Sequence, residues 1–270
     1  MVAGMVSSVR KPAVAGLFYP GDGAELRATV SGFLKEARNT LDPVGNTPKA
    51  LIVPHAGYVY SGTVAASAYS QIADAAGRIT RVLLLGPAHR LSFEGLALPG
   101  VDGFETPLGI VPLDVDAVAR IEHLPQVARL PSAHAGEHSL EVHLPFLQTL
   151  IGQFSLVPLV VGSATTAQVA ELLEILWGGD ETLIVVSTDL SHYYDYETAK
   201  TMDAMTSEAI EALDEEKIGF EDACGRLPLS GLLIAARTRG LSAHAVDLRN
   251  SGDTVGPRDQ VVGYGAFVVG

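Results

Sequence analysis

Three times in this chain of 270 residues, a short and wholly apolar run stops at a turn former and is followed closely by a histidine. Leu51, Ile52 and Val53 lead into Pro54-His55, Val82 to Leu85 into Gly86-Pro87-Ala88-His89, and Leu183 to Val186 into Ser187-Thr188-Asp189-Leu190-Ser191-His192. Apolar runs without polar alternation are the mark of strands covered on both faces, as in parallel sheets layered by helices. Parallel strands deliver their carboxyl ends to one sheet edge, where the departing loops leave a crevice for ligands. The chain is therefore expected to be an α/β protein, a three-layer αβα sandwich around a central sheet that is mainly parallel or mixed. Residues 1–270 show neither an internal repeat nor a linker of domain-boundary length, so a single domain is expected.

The intervening segments carry helix and turn signals. Leu26, Val30, Phe33, Leu34 and Ala37 recur on one helical face after Asp22, and Asn39 to Pro48 reads as the loop into the first central strand. Ser61 is expected to cap the next helix and Gly77 to close it. Asp114 should cap a helix through about Glu122, and Thr165 to Trp177 should be helical up to Gly178-Gly179. Glu137 to Phe146 should begin a helix, which Pro145 permits only in its first turn or at a kink. Phe154 to Val161 reads as a strand whose Pro158 weakens an interior position. Helices are expected at Thr198–Asp214 and Leu229–Thr238, and closing strands at His244–Leu248 and Val261–Val269.

A formal net charge of −13 argues against a nucleic-acid groove or an anionic membrane surface, both of which need clustered Lys and Arg. No apolar run approaches the roughly 20 residues of a membrane span. Arg10-Lys11 and the stretch Ala13 to Tyr19 imitate a signal peptide faintly, but Pro20 and Gly-Asp-Gly follow in place of a cleavage site. The single cysteine, Cys224, allows no internal disulfide, and a cytoplasmic location is expected.

Any one of these histidines alone reads best as a turn residue. Delivered together to one edge, His55 and His89 read instead as ligands for a transition metal. Cys224 precedes a helix expected to start near Pro228, with Arg226 close by, a setting that should favour thiolate. Asp189 and His192 share one loop and suit an acid/base pair in which the carboxylate orients the imidazole. His138 and His143 are five apart, about 140° around a helix, so at most His138 should reach the pocket. His123, His134 and His244 are expected at the surface. No Gly-x-Ser-x-Gly elbow, phosphate loop or dinucleotide fingerprint occurs.

Taken together, Pro12-Ala13-Val14-Ala15-Gly16-Leu17-Phe18-Tyr19, Pro54-His55-Ala56-Gly57-Tyr58, Gly86-Pro87-Ala88-His89, Glu137-His138-Ser139-Leu140-Glu141-Val142-His143-Leu144-Pro145, Ser187-Thr188-Asp189-Leu190-Ser191-His192, Cys224-Gly225-Arg226 and Tyr264-Gly265-Ala266 resemble the MEMO family, named for a mediator of ErbB2-driven cell motility. The resemblance implies a fold related to the LigB-like class III extradiol dioxygenases. It implies one divalent or redox metal ion, iron or copper favoured and zinc allowed, held by His55, His89 and Cys224. Asp189 and His192 would stand beside the metal as catalytic residues, with His138 and Tyr58 lining the pocket around it. The extradiol relatives hold iron with two histidines and a carboxylate, so Cys224 departs from the ring-cleaving pattern. The ligand would be a small molecule or peptide, and radical SAM and AMMECR-like proteins would be pathway partners. Three readings follow: a metal-dependent redox enzyme, a non-catalytic metal- or peptide-binding protein, and a zinc-dependent hydrolase.

Overall fold

The computed structural model describes residues 8–45 and 47–270. Along the chain run β1 (Val9–Arg10), α1 (Gly23–Thr40), β2 (Ala50–Val53), α2 (Tyr58–Ser70), β3 (Arg81–Pro87), β4 (Leu96–Leu98), β5 (Gly103–Thr106), β6 (Gly109–Pro112), α3 (Val115–Ala119) and β7 (Val127–Arg129). There follow α4 (Pro131–Ala135), α5 (Leu144–Leu150), β8 (Ser155–Val161), α6 (Thr166–Leu176), β9 (Thr182–Ser187), β10 (His192–Tyr194), α7 (Tyr196–Glu211), α8 (Arg226–Thr238), β11 (Ala243–Asn250) and β12 (Val261–Val269).

Among the described residues, nine strands form the main sheet, eight in the order β10-β12-β2-β9-β3-β8-β4-β7, with β11 on the other edge of β12. Its centre, β2-β9-β3-β8, is parallel, while β12 runs antiparallel to β2 and β4 antiparallel to β8. The sheet is thus mixed around a parallel heart. Strands β1, β5 and β6 form a small separate sheet. Val53 pairs with Ser187 and Leu85 with Val186, so β2, β9 and β3 end side by side on one edge.

Successive strand residues face opposite layers, as the pleat requires. Leu51, Val53, Leu84 and Val185 join Leu26, Val30, Tyr69 and Phe146 in one core. Ile52, Leu83, Leu85, Ile184 and Val186 join Leu172, Leu173, Leu232 and Leu233 in the other. Both cores are closed to water, which is why the central strands carry no polar alternation.

Asp114 caps α3 as expected, Asp22 and Thr165 prove to cap α1 and α6, and Pro145 falls in the first turn of α5. Other local expectations fail for identifiable reasons. Helix α1 runs on to Thr40, which shortens the expected Asn39–Pro48 loop, and Asn46 of that loop lies outside the described residues. Helix α2 starts three residues before Ser61, because the amide of Tyr58 donates to the carbonyl of Phe18 as the chain leaves β2. Ser61 lies within the helix with its hydroxyl on the carbonyl of Ala56, and Gly77 sits in a separate 3₁₀ turn, Ala73–Arg78. Pro158 is tolerated inside the sheet because β4 pairs only with Val160 and Val161 on that flank. His134 is buried with Nε2 on the carbonyl of Ala97, whereas His123 and His244 are exposed. Among the described residues no helix is long and apolar enough to cross a membrane.

Candidate metal centre

His55 leaves β2 at the sheet edge, and two polar contacts fix it. Its backbone amide donates to Asp189 Oδ1 at 2.7 Å, and its Nδ1 lies 2.6 Å from Ser187 Oγ. The one proton of the Ser187 hydroxyl goes to the carbonyl of Ser139 at 2.6 Å, so Nδ1 of His55 must be the donor in their contact. The lone pair is then on Nε2, which faces the Cys224 thiol at 3.4 Å. Burial above all, and then the neighbouring imidazoles, hold His55 well below the usual histidine range, so it is a neutral donor.

His89 follows β3 and is governed by Glu137. Oε1 of Glu137 accepts from His89 Nδ1 at 2.9 Å and from the amides of His138 and Ser139, while Oε2 accepts from the amide of His89. Burial opposes ionisation of Glu137, but the ring and backbone hydrogen bonds outweigh it and hold its carboxyl down at about 2. The carboxylate therefore fixes the orientation of the His89 ring from behind, through Nδ1, and turns Nε2 away from itself. The ring of His138 stacks on His89 at 4.7 Å between centroids and stands edge-on to His55 at 5.4 Å. Burial lowers the pKa of His138 to about 4, leaving it neutral too. One ligand atom from each of His55, His89 and His138 lies within 4.8 Å of the others, a group that could hold a metal ion. Imidazoles are the donor chemistry such an ion requires, and two of these three, His55 and His89, are held from behind through Nδ1.

The matrix of elements that builds this centre falls within residues 10–268, which match the family model described as "Memo-like protein". The chain belongs to the Memo family. It is 37% identical over 275 residues to a MEMO1 family protein of Aquifex aeolicus, covering 95% of this chain and 97% of that one. It is 34% identical over 273 residues to MEMO1 family protein MTH_45 of Methanothermobacter thermautotrophicus, covering 95% and 98%. The crystal structure of the uncharacterised protein JW3007 from Escherichia coli K12 shares the fold, with a TM-score of 0.53 over 83% of this chain and all of the other at 12% identity.

Against the ligand set that the Memo resemblance implies, the structure brings a third histidine into the group and sets the thiol at its side. Cys224 Sγ is 3.4 Å from His55 Nε2 and receives the amide of Asp189 at 3.3 Å. The expectation of a thiolate is not met by the surroundings of the sulfur. Enclosure first, and then the carboxyl of Asp189, push the Cys224 thiol up to about 12, outweighing its hydrogen bonds. Helix α8 begins at Arg226, two residues before the expected Pro228. Gly225 is what lets Cys224 come so close, since a Cβ there would lie 2.4 Å from the carbonyl oxygen of Ser187.

The expected acid/base pair is also arranged differently. Asp189 turns toward His55, holding its amide with Oδ1 and placing Oδ2 3.9 Å from its Nε2, and burial raises its pKa. Among the described residues no hydrogen bond joins Asp189 to His192, because the His55 turn has claimed the carboxylate. His192 stands on β10 and lines the same cleft of about 720 Å³ as His55, His89, His138, Asp189 and Cys224. Tyr58 faces away from it, its hydroxyl on the carbonyl of Val142 and its ring against Phe146, while Tyr60 lines the cleft.

Sequence reasoning missed Glu137 as the organiser of this site, although it stands directly before His138 in the quoted motif. It also missed Glu141, which is wholly buried and binds the N-terminal segment in place. Glu141 accepts from Arg10 at 2.5 Å, the Tyr19 hydroxyl at 2.6 Å and the amides of Ala13 and Val14. That anchorage sets Phe18 against the ring of His138, with 4.8 Å between centroids.

Proposed function

We propose that this Memo family protein is a metal-dependent redox enzyme that holds one iron or copper ion on His55, His89 and His138 and acts on a small molecule or peptide in the adjoining cleft. The supporting observation is the pair of fixed rings. Ser187 and Glu137 occupy Nδ1 of His55 and His89, so Nε2 is the ligand position of each, beside the imidazole of His138. Imidazole donors suit iron, copper and zinc. When bound, such an ion would polarise an oxygen-bearing ligand and, if redox-active, exchange electrons with it.

The chain's own residues supply the rest of the reading. His192, on the wall of the cleft, would hold or move a proton on its imidazole. Asp189 would keep the His55 turn in place. Cys224, next to the His55 lone pair, would join the donors on losing its proton, which suits a cytoplasmic setting that keeps the thiol reduced. Phe18, Tyr60 and Tyr264 would present an apolar wall to the ligand. Radical SAM and AMMECR-like proteins would be the pathway partners.

The test is metal analysis of protein purified anaerobically from its own host, with oxygen uptake measured over a panel of catechols and thiols. Bound iron or copper, lost in His55→Ala and His138→Ala and kept in His192→Ala, together with oxygen uptake that His192→Ala abolishes, is the expected result. A second reading, zinc-dependent hydrolysis, draws on the same three imidazoles, a donor set that zinc hydration enzymes use. Zinc with oxygen-independent turnover would favour it. Bound metal with no turnover in either assay would leave a non-catalytic binding protein.

A further inference from the structure

Behind the bend that carries His192 lies a carboxylate that the site described above does not use. Asp203, on α7, is 2% exposed and pairs with no cationic side chain among the described residues. It accepts the amide of Ser191 at 3.0 Å. Burial pushes its carboxyl up to about 6, against the pull of that hydrogen bond. A carboxylate enclosed without an ion-pair partner costs folding free energy, so what it holds in place matters.

What it holds is one peptide unit. The amide of Leu190 donates to the carbonyl of Gly263, and the amide of Gly263 donates to the carbonyl of Ser191, both at 2.8 Å, so Leu190 and Ser191 lie along β12 at Gly263. Asp203 fills the space over that glycine. A Cβ at Gly263 would stand 2.1 Å from Asp203 Oδ2. Directly afterwards His192 pairs with Val262, the register shifts before Tyr194, and Tyr193 takes φ 63°, in the left-handed region. In such a bend the direction of one side chain depends on the placement of the preceding peptide, since a one-residue slip turns a strand side chain to the other face.

We propose that Asp203 is a positioning residue for His192: seated over Gly263, it locks the Ser191 amide so that the His192 imidazole faces the cleft. The proposal rests on the reading of His192 as the proton-handling group of that cleft. Asp203→Asn keeps an oxygen acceptor for Ser191, Asp203→Ala removes it, and Gly263→Ala drives the carboxylate away by contact while leaving residue 203 unchanged. In histidine-labelled protein, the His192 ring resonance is assigned by its disappearance in His192→Ala. Asp203→Ala and Gly263→Ala are expected to shift that resonance and to speed hydrogen exchange of the Ser191 amide about tenfold, while Asp203→Asn keeps both near wild type. The resonances of His55, His89 and His138 should stay in place throughout. An unshifted His192 resonance in either Asp203→Ala or Gly263→Ala, or Asp203→Asn behaving like Asp203→Ala, would overturn the proposal. Loss of metal in His192→Ala would instead refute the proton-handling reading and leave the positional role of Asp203 intact.

Discussion

Replacing Glu137 by Gln tests the centre at the point where most of its hydrogen bonds converge. Both carboxylate oxygens are occupied, Oε1 by the His89 ring and the amides of His138 and Ser139, Oε2 by the amide of His89. An amide side chain has only one acceptor oxygen, so in either flip its NH₂ group must face an N–H. If the NH₂ takes the Oε2 position, the His89 amide loses its partner. In the other flip the ring of His89 and two amides lose theirs. At least one hydrogen bond to a charged group disappears, worth about 1.5–3 kcal/mol, and even in the flip that keeps the His89 ring bonded, its acceptor becomes a neutral amide oxygen in place of a carboxylate. Loss of a partner behind a ligating histidine commonly weakens metal binding by about 10- to 100-fold, equivalent to about 1.4–2.7 kcal/mol. Competition against a metallochromic chelator reads that factor directly, with circular dichroism to verify folding. An unchanged dissociation constant in folded Glu137→Gln would refute the claim that this carboxylate presents His89 to the metal.

Three further predictions concern the frame. The pKa of His134 is lowered by burial to about 4 from 6.5, so the unfolded chain binds more protons between those values. Stability should therefore be complete above pH 6.5 and decline as the pH falls toward 4, and denaturant melts of His134→Gln should show a shallower decline. Gly225→Ala would thrust a Cβ within 2.4 Å of the Ser187 carbonyl and 2.6 Å of Thr188 Cβ, so a loss of about 1–3 kcal/mol is expected in thermal unfolding. Arg10→Met should destabilise by about 3–5 kcal/mol by leaving Glu141 buried without its cation, and a midpoint within error of wild type would dismiss the pair as an anchor.

The central strands and the edge they serve were legible because both faces of β2, β3 and β9 are buried, which writes unbroken apolar runs into the sequence. His55 and His89 were legible for the same reason, each being the first histidine beyond such a run. His138 follows no strand. It stands in an irregular segment ahead of the 3₁₀ turn Glu141–His143, and its place is set by contacts of Glu137 and Ser139 with distant chain, which local periodicity does not encode. The state of Cys224 was misread because helix position and a nearby arginine are visible in sequence, whereas enclosure and the approach of Asp189 arise only on folding. Tyr58 was misplaced because α2 begins at that very residue and turns its ring into the core.

The donors at positions 55, 89 and 138, with the contacts from 137 and 187 that orient them, come from separate crossovers of the sheet. The three donors of that group are brought within reach of one ion only once the parallel strands have formed. A metal bound this way acts as a ligand of the native state alone. It should raise the unfolding temperature with increasing free ion concentration, and a chelator should remove that increment while the two apolar layers keep the apoprotein folded. That behaviour is the opposite of a zinc finger, where the ion and the fold come and go together.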